Sequence, residues 1–256
     1  MIISHSHRFI FIKSLKTAGT SIEAALSNEC SGNDVVIPIN DFGHNRDAEG
    51  RFIHRSMNAD EFYLKIGQHV DAPTIKAREP TETWNHYFKF SITRNPWDRA
   101  VSYFFWDMRK RLAIKPSKRF YHYLGIPYDE FASVRKLFIQ FIQRRILERD
   151  DQFHVVDGQH RYRVPAEGFL ENNDRFYCID NDLCVDYVIR YENLEDDLKE
   201  VCKLIGIPIM SLPHLKTGIR KKGHHYAEYY DDTSRDIVAE LHKNDLRFFN
   251  YAFDKN

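Results

Sequence analysis

The apolar stretch Phe9–Ile12 (FIFI) is continuous and breaks off at Lys13. An uninterrupted run of this length predicts a strand buried on both faces, as in a parallel sheet. Thr20–Leu26 (TSIEAAL) changes period, with Ile22, Ala25 and Leu26 on one side of a predicted helix. Val35–Ile39 predicts a second strand, and polar, Gly-containing Asp41–Arg55 reads as loop. Tyr87–Thr93 (YFKFSIT) predicts a third strand. Asn95 then supplies an N-cap and Pro96 a favoured first helical residue, so a helix is predicted from Pro96 to about Arg111.

Further along, Phe131, Val134, Phe138, Phe141 and Ile142 recur at helical steps within Glu130–Arg149, whereas Asp150–Gly168 reads as irregular. Phe176–Ile179 and Val185–Ile189 predict strands. Asn193 caps a helix with Glu195, Asp196 and Asp197 in its first turn and Gly206-Ile207-Pro208 beyond its end. Ser211–His225 reads as a basic loop, and a last helix is predicted over Ser234–Asn244. Strands alternating with helices predict an α/β fold, a mostly parallel sheet flanked by helices on both faces. One domain over 1–256 is expected, with a helical and irregular, acceptor-side insertion at about 110–168.

Composition sharpens this picture. With 256 residues, 43% of them hydrophobic and 14% aromatic, the chain has enough apolar surface for a globular core. Lys+Arg and Asp+Glu are 37 each, so the formal net charge is zero and no general nucleic-acid-binding surface is implied. The charge is unevenly placed. Arg109–Arg119 (RKRLAIKPSKR) is strongly basic and Asp180–Glu200 acidic; the basic middle suggests a local anion site that could take an acidic glycan, with a solvated helix end as the favoured reading of Arg109–Arg119. Cys30, Cys178, Cys184 and Cys202 have no metal-type or redox-type spacing and read as free thiols. No stretch reaches membrane-spanning length, and Phe9–Ile12 lacks the flanks of a signal peptide, so a soluble, cytoplasmic chain is expected.

Candidate chemistry gathers at two strand ends. Ser14–Glu23 (SLKTAGTSIE) joins the first strand to the first helix, where unpaired helical amides and the helix dipole favour an anion. Ala18 and Gly19 keep the backbone open to a phosphate; Thr17, Thr20 and Ser21 offer hydroxyls, and Lys16 a compact positive charge. This is not a nucleoside-triphosphatase loop of the form GxxxxGK[ST], because Lys16 precedes Gly19 and the leading glycine is missing. An ordinary helix start with a solvated lysine is the bland alternative. The second end is FSITRNPWDRAVSYFF. Arg94 at the carboxyl end of a strand can fork onto a phosphate, and Ser102 on the following helix can add a hydroxyl. Its bland alternative pairs Arg94 with an acid and leaves Asp98 and Arg99 on a solvated face.

Taken together, SLKTAGTS, TRNPWDRAVSYF and the C-terminal VIRYENLEDDLKEVCKLIGIP, LPHLKTG and HHYAEYY resemble the carbohydrate sulfotransferases that use 3′-phosphoadenosine-5′-phosphosulfate (PAPS). The likeness extends to bacterial members and to the heparan sulfate 2-O-sulfotransferase group, and it does not reach Arg109–Asp174. It implies a P-loop-like fold. It implies PAPS as donor, 3′,5′-adenosine bisphosphate (PAP) as product and no metal, with a carbohydrate or other hydroxyl as acceptor. By the same likeness Lys16 contacts the bridging oxygen and the 5′-phosphate, Thr17, Ala18, Gly19, Thr20 and Ser21 cradle that phosphate, and Arg94 and Ser102 hold the 3′-phosphate. Arg220 and Lys222, in GIRKKG, stand where the family closes its nucleotide site. His69, in Gly67-Gln68-His69-Val70, resembles the histidine base of the uronyl 2-O-sulfotransferases, although Gln68 and Gly67 supply no first histidine. Two other readings stay open: a small-molecule kinase needing Mg²⁺ and a carboxylate, and a nucleotide-binding module without catalysis. A metal site at His5 and His7 or at His224 and His225 has no further ligand beside it.

Overall fold

A computed structural model describes residues 1–39, 55–111, 131–147, 153–157, 160–164, 172–209, 211–213 and 224–254. In chain order the elements are β1 (Ile2–Ser4), β2 (Phe9–Phe11), α1 (Gly19–Ser27), β3 (Val35–Val36), α2 (Glu61–Ile66), α3 (Ala72–Arg78), α4 (Thr81–His86), β4 (Phe88–Thr93) and α5 (Pro96–Arg111). They continue with α6 (Phe131–Leu147), β5 (Phe153–Asp157), β6 (His160–Val164), β7 (Cys178–Ile179), β8 (Asp182–Leu183), β9 (Tyr187–Arg190), α7 (Leu194–Leu204), α8 (Asp232–Leu241) and α9 (Lys243–Phe249). The chain forms two compact units, Met1–Arg94 with Asn173–Thr217, and Asn95–Asn172 with Gly218–Asn256.

The first unit is built on a five-stranded sheet of order β3-β1-β2-β4-β9. β2 pairs parallel with β4, and β4 with β9, while β1 runs antiparallel to both β2 and β3. All but β1 therefore point the same way, and the α/β expectation holds. Side-chain alternation places Ile2, Phe9, Phe11, Phe90, Ile92 and Ile189 on one face. Ile22 and Leu26 of α1 pack there with Leu198, Val201 and Cys202 of α7. Phe11 and Phe90, on paired strands, hold their ring centroids 5.1 Å apart. Each such side chain contributes about 1.5–3 kcal/mol by leaving water. Ile3, Ile10 and Ser91, which alternate to the other face, are buried too, as expected of strands covered on both sides.

The second unit has an aromatic core. Phe104 and Phe105 of α5, Phe138 of α6, Tyr229 and Tyr230 cluster with Trp97 and Val238. Most of the rings meet edge to face, Phe138 against Tyr230 at 4.8 Å for example. Arg99 is not on a solvated face. It is 4% exposed, and its guanidinium donates to the His242 ring at 3.1 Å.

Several elements differ from expectation. β3 stops at Val36, although the Ile37 amide still donates to the Met1 carbonyl at 3.4 Å. Within the stretch read as irregular, β5 and β6 form an antiparallel hairpin with Phe153 opposite Val164. The last helix divides at His242, whose buried ring turns toward Arg99 and whose backbone leaves helical geometry (φ −119°). Phe176 ends a 3-10 turn and is not part of a strand. Most of the predicted loop Asp41–Arg55 lies outside the described residues. No helix among the described residues is long and apolar enough to cross a membrane.

Candidate active site

The segment from Lys13 to Gly19 leaves β2 and enters α1, and side chains from distant parts of the first unit hold its residues in turn. The His69 ring bonds the Lys13 carbonyl at 3.0 Å. The Ser14 hydroxyl donates to the carbonyl of Ile92 on β4. Asn173, 1% exposed, meets both backbone groups of Leu15, taking its N–H at 3.3 Å and donating to its carbonyl at 3.0 Å. Arg94 donates to the Lys16 carbonyl at 3.1 Å while its guanidinium lies 4.0 Å from the centre of the Tyr191 ring. Thr17 is fully buried, its hydroxyl 2.8 Å from that of Ser14. The loop is thus fixed before any ligand arrives, as a preorganised electrostatic site requires.

Its backbone is strained in a particular way. Lys16 and Ala18 both have φ of 63°, a left-handed conformation that L residues avoid. Alternation into that region turns neighbouring amides toward one side and makes a concave anion site. Ala18 is also the N-cap of α1, and it offers no side-chain cap. The first turn of α1 therefore presents its dipole to whatever lies in front of the loop. Thr20 and Ser21 are buried in that turn, and the Ser21 amide bonds the Ala18 carbonyl at 2.9 Å.

Gly19 serves packing more than ligand approach. A Cβ there would stand 2.8 Å from Cγ of Lys13. Lys13 is 1% exposed and runs beneath the loop, where its ammonium meets Glu23 Oε2 at 2.6 Å and Gln68 Oε1 at 2.8 Å. The Met1 α-ammonium bonds the other Glu23 oxygen. Burial opposes ionisation of Glu23, but Lys13 and the Met1 ammonium outweigh it and bring the carboxyl down to about 2.

His69 sits in the link between α2 and α3. Asp60 and Asp71 cap these helices, each side chain accepting a backbone N–H at 3.0 Å. Gly67 ends α2 at φ 88°, ψ −158°, a conformation open to glycine alone, and the link that follows reaches the loop. A carbonyl can only accept, so the Lys13 contact assigns the proton to Nδ1 and leaves Nε2 with its lone pair. Burial, then the Lys13 charge, push the imidazole down to about 3, which keeps it neutral.

Of the residues read from sequence, Lys16, Thr17, Ala18, Gly19, Thr20, Ser21, Arg94 and His69 come together in the first unit. Ser102 lies on α5 in the second unit, half-buried. Arg220 and Lys222 lie outside the described residues. Sequence reading missed Asn173, Glu23 and Lys13. Nothing in the chain order pairs Lys13 with Glu23, and nothing near Asn173 in the chain points to a loop 158 residues away.

Residues 1–252 match the sulfotransferase family. No curated protein and no solved structure matches the chain significantly.

Proposed function

The chain belongs to the sulfotransferase family, so its chemistry is the transfer of a sulfuryl group, and from that premise we propose PAPS as donor and a carbohydrate hydroxyl as acceptor. The observation that carries the donor assignment is the paired left-handed residues Lys16 and Ala18 in front of a helix start without a side-chain cap. Such a cradle fits a 5′-phosphosulfate, with Lys16 beside the oxygen that departs. The Arg94 guanidinium, placed at the loop by its bond to the Lys16 carbonyl, has the planar fork that suits the 3′-phosphate.

In this reading His69 Nε2 accepts the proton of the acceptor hydroxyl. The hydroxyl oxygen bonds to sulfur as the bond from sulfur to the 5′-phosphate oxygen breaks, and Lys16 stabilises the charge left on that phosphate. Negative charge delivered beside His69 with the donor raises its proton affinity toward the range a general base needs.

Transfer from radiolabelled PAPS to a panel of glycans, lipids and small alcohols tests the reading, with ATP and Mg²⁺ as the kinase control. Labelled glycan is the expected product. Lys16→Ala is expected to lower kcat by about a hundredfold or more while PAP still binds, and Arg94→Ala to weaken PAP by about 1.5–3 kcal/mol in calorimetry. Phosphoryl transfer from ATP, or PAP binding without any sulfated product, would overturn it.

A further inference from the structure

Beneath the loop lies a charged cluster that the transfer step itself does not use. Gln68 and His69 are neighbours in the chain, and between them they take hold of both ends of Lys13. Gln68 Oε1 accepts from the Lys13 ammonium at 2.8 Å, and His69 Nδ1 meets the Lys13 carbonyl at 3.0 Å. Glu23, fully buried on α1, anchors the same ammonium at 2.6 Å. A buried lysine of this kind needs its partners, because a charge left unpaired in the interior is strongly destabilising. The Lys13 side chain is therefore confined to one path, and its carbonyl is fixed opposite the imidazole.

We propose that Gln68 and Glu23 are positioning residues for His69: by gripping the Lys13 ammonium they set the Lys13 carbonyl against Nδ1 and keep Nε2 as the proton-accepting nitrogen. The proposal rests on the sulfotransferase reading for its catalytic meaning, but its structural half can be tested without turnover. Three charges act on the imidazole. The Lys13 and Met1 ammoniums disfavour protonation and Glu23 favours it, while the Phe176 ring lies against it at 6.2 Å. Without the carbonyl acceptor a neutral imidazole populates both tautomers. A fraction of the molecules would then present an N–H where the acceptor hydroxyl needs a lone pair.

The experiment is long-range ¹H–¹⁵N spectroscopy of the full chain carrying ¹⁵N-histidine, paired with kcat and KM for PAPS-dependent transfer. Wild type is expected to show His69 protonated at Nδ1 at neutral pH. Gln68→Leu should bring in the Nε2–H form and lower kcat about tenfold, leaving KM for PAPS within about twofold. Gln68→Glu keeps an oxygen on the Lys13 ammonium and should restore the wild-type tautomer and most of the rate. Should Gln68→Leu not fold, Lys13→Met removes the ammonium that Gln68 and Glu23 both grip and leaves Glu23 paired with the Met1 ammonium. It should make His69 titrate at higher pH with mixed tautomers. A folded variant with the wild-type tautomer, or a changed tautomer with unchanged kcat, overturns the proposal. A wild-type chain that transfers nothing from PAPS overturns the proposed function instead, and the spectra still decide whether the cluster fixes His69.

Discussion

At the scale of single residues, the loop depends on side chains too small or too well held to be exchanged. Gly19 has room for a hydrogen and nothing more, since the Lys13 stem that faces it is held in place by Glu23 and Gln68. Gly19→Ala is expected to cost about 1–3 kcal/mol in urea unfolding, as overpacking of a filled core does, and wild-type stability would mean that the Lys13 stem can yield. The positions of Lys16, Gly19 and Arg94 at the ends of strands were legible in the sequence, because strand-loop-helix order shows in the local pattern. The tautomer of His69 was not, because it is set by a carbonyl 56 residues away. The alternative that left Arg99 on a solvated face fails for a related reason: a charged side chain within a helical pattern looks solvated until its buried partner, His242, is known.

Among elements, long periodic segments were the readable ones. α5 and α6 carry enough apolar repeats to declare themselves, β2 is a continuous apolar run, and β4 (FKFSIT) alternates apolar with polar residues. α2, α3 and α4 are six or seven residues long, too short for their period to show, yet they carry the segment that brings His69 to the loop. The turn at Gly67 joins that segment to α2. Gly67→Ala puts a Cβ on a backbone that only glycine adopts readily, so a stability loss of about 1–3 kcal/mol is expected. A fall in kcat larger than any change in PAP affinity should accompany it. Unchanged kcat in a folded Gly67→Ala protein would show that the link does not set the position of His69. β1 and the hairpin of β5 and β6 escaped the sequence reading because pairing partners, not local pattern, make them strands.

For the molecule as a whole, Glu23 and His69 of the first unit make stability fall in acid. His69 takes up its proton near pH 6.5 when unfolded but only near 3 in the fold. Between those values the unfolded chain binds a proton that the folded chain does not, so stability present above pH 6.5 is lost as the pH falls toward 3. Glu23, about 2 in the fold against 4.5 unfolded, adds a loss in the same direction over its own window. Each group contributes a slope of at most about 1.4 kcal/mol per pH unit. Urea midpoints measured from pH 7 to pH 4 should therefore fall, and His69→Gln should flatten the upper part of that decline. A midpoint independent of pH between 6.5 and 4.5 would show that His69 is not held neutral.

The distant bonds around the loop also bear on the order in which the chain assembles. Ser14 waits for Ile92 and Lys16 for Arg94, both 78 residues on, and Leu15 waits for Asn173, 158 residues on. Closing such long spans is entropically costly and slow compared with forming the neighbouring β1–β2 pair or the first turns of α1. In a refolding experiment the helical signal should recover early. On the proposed function, the ability to bind PAP should return only when β4 and the Asn173 turn have docked, and nucleotide binding would then report the last native contacts to form.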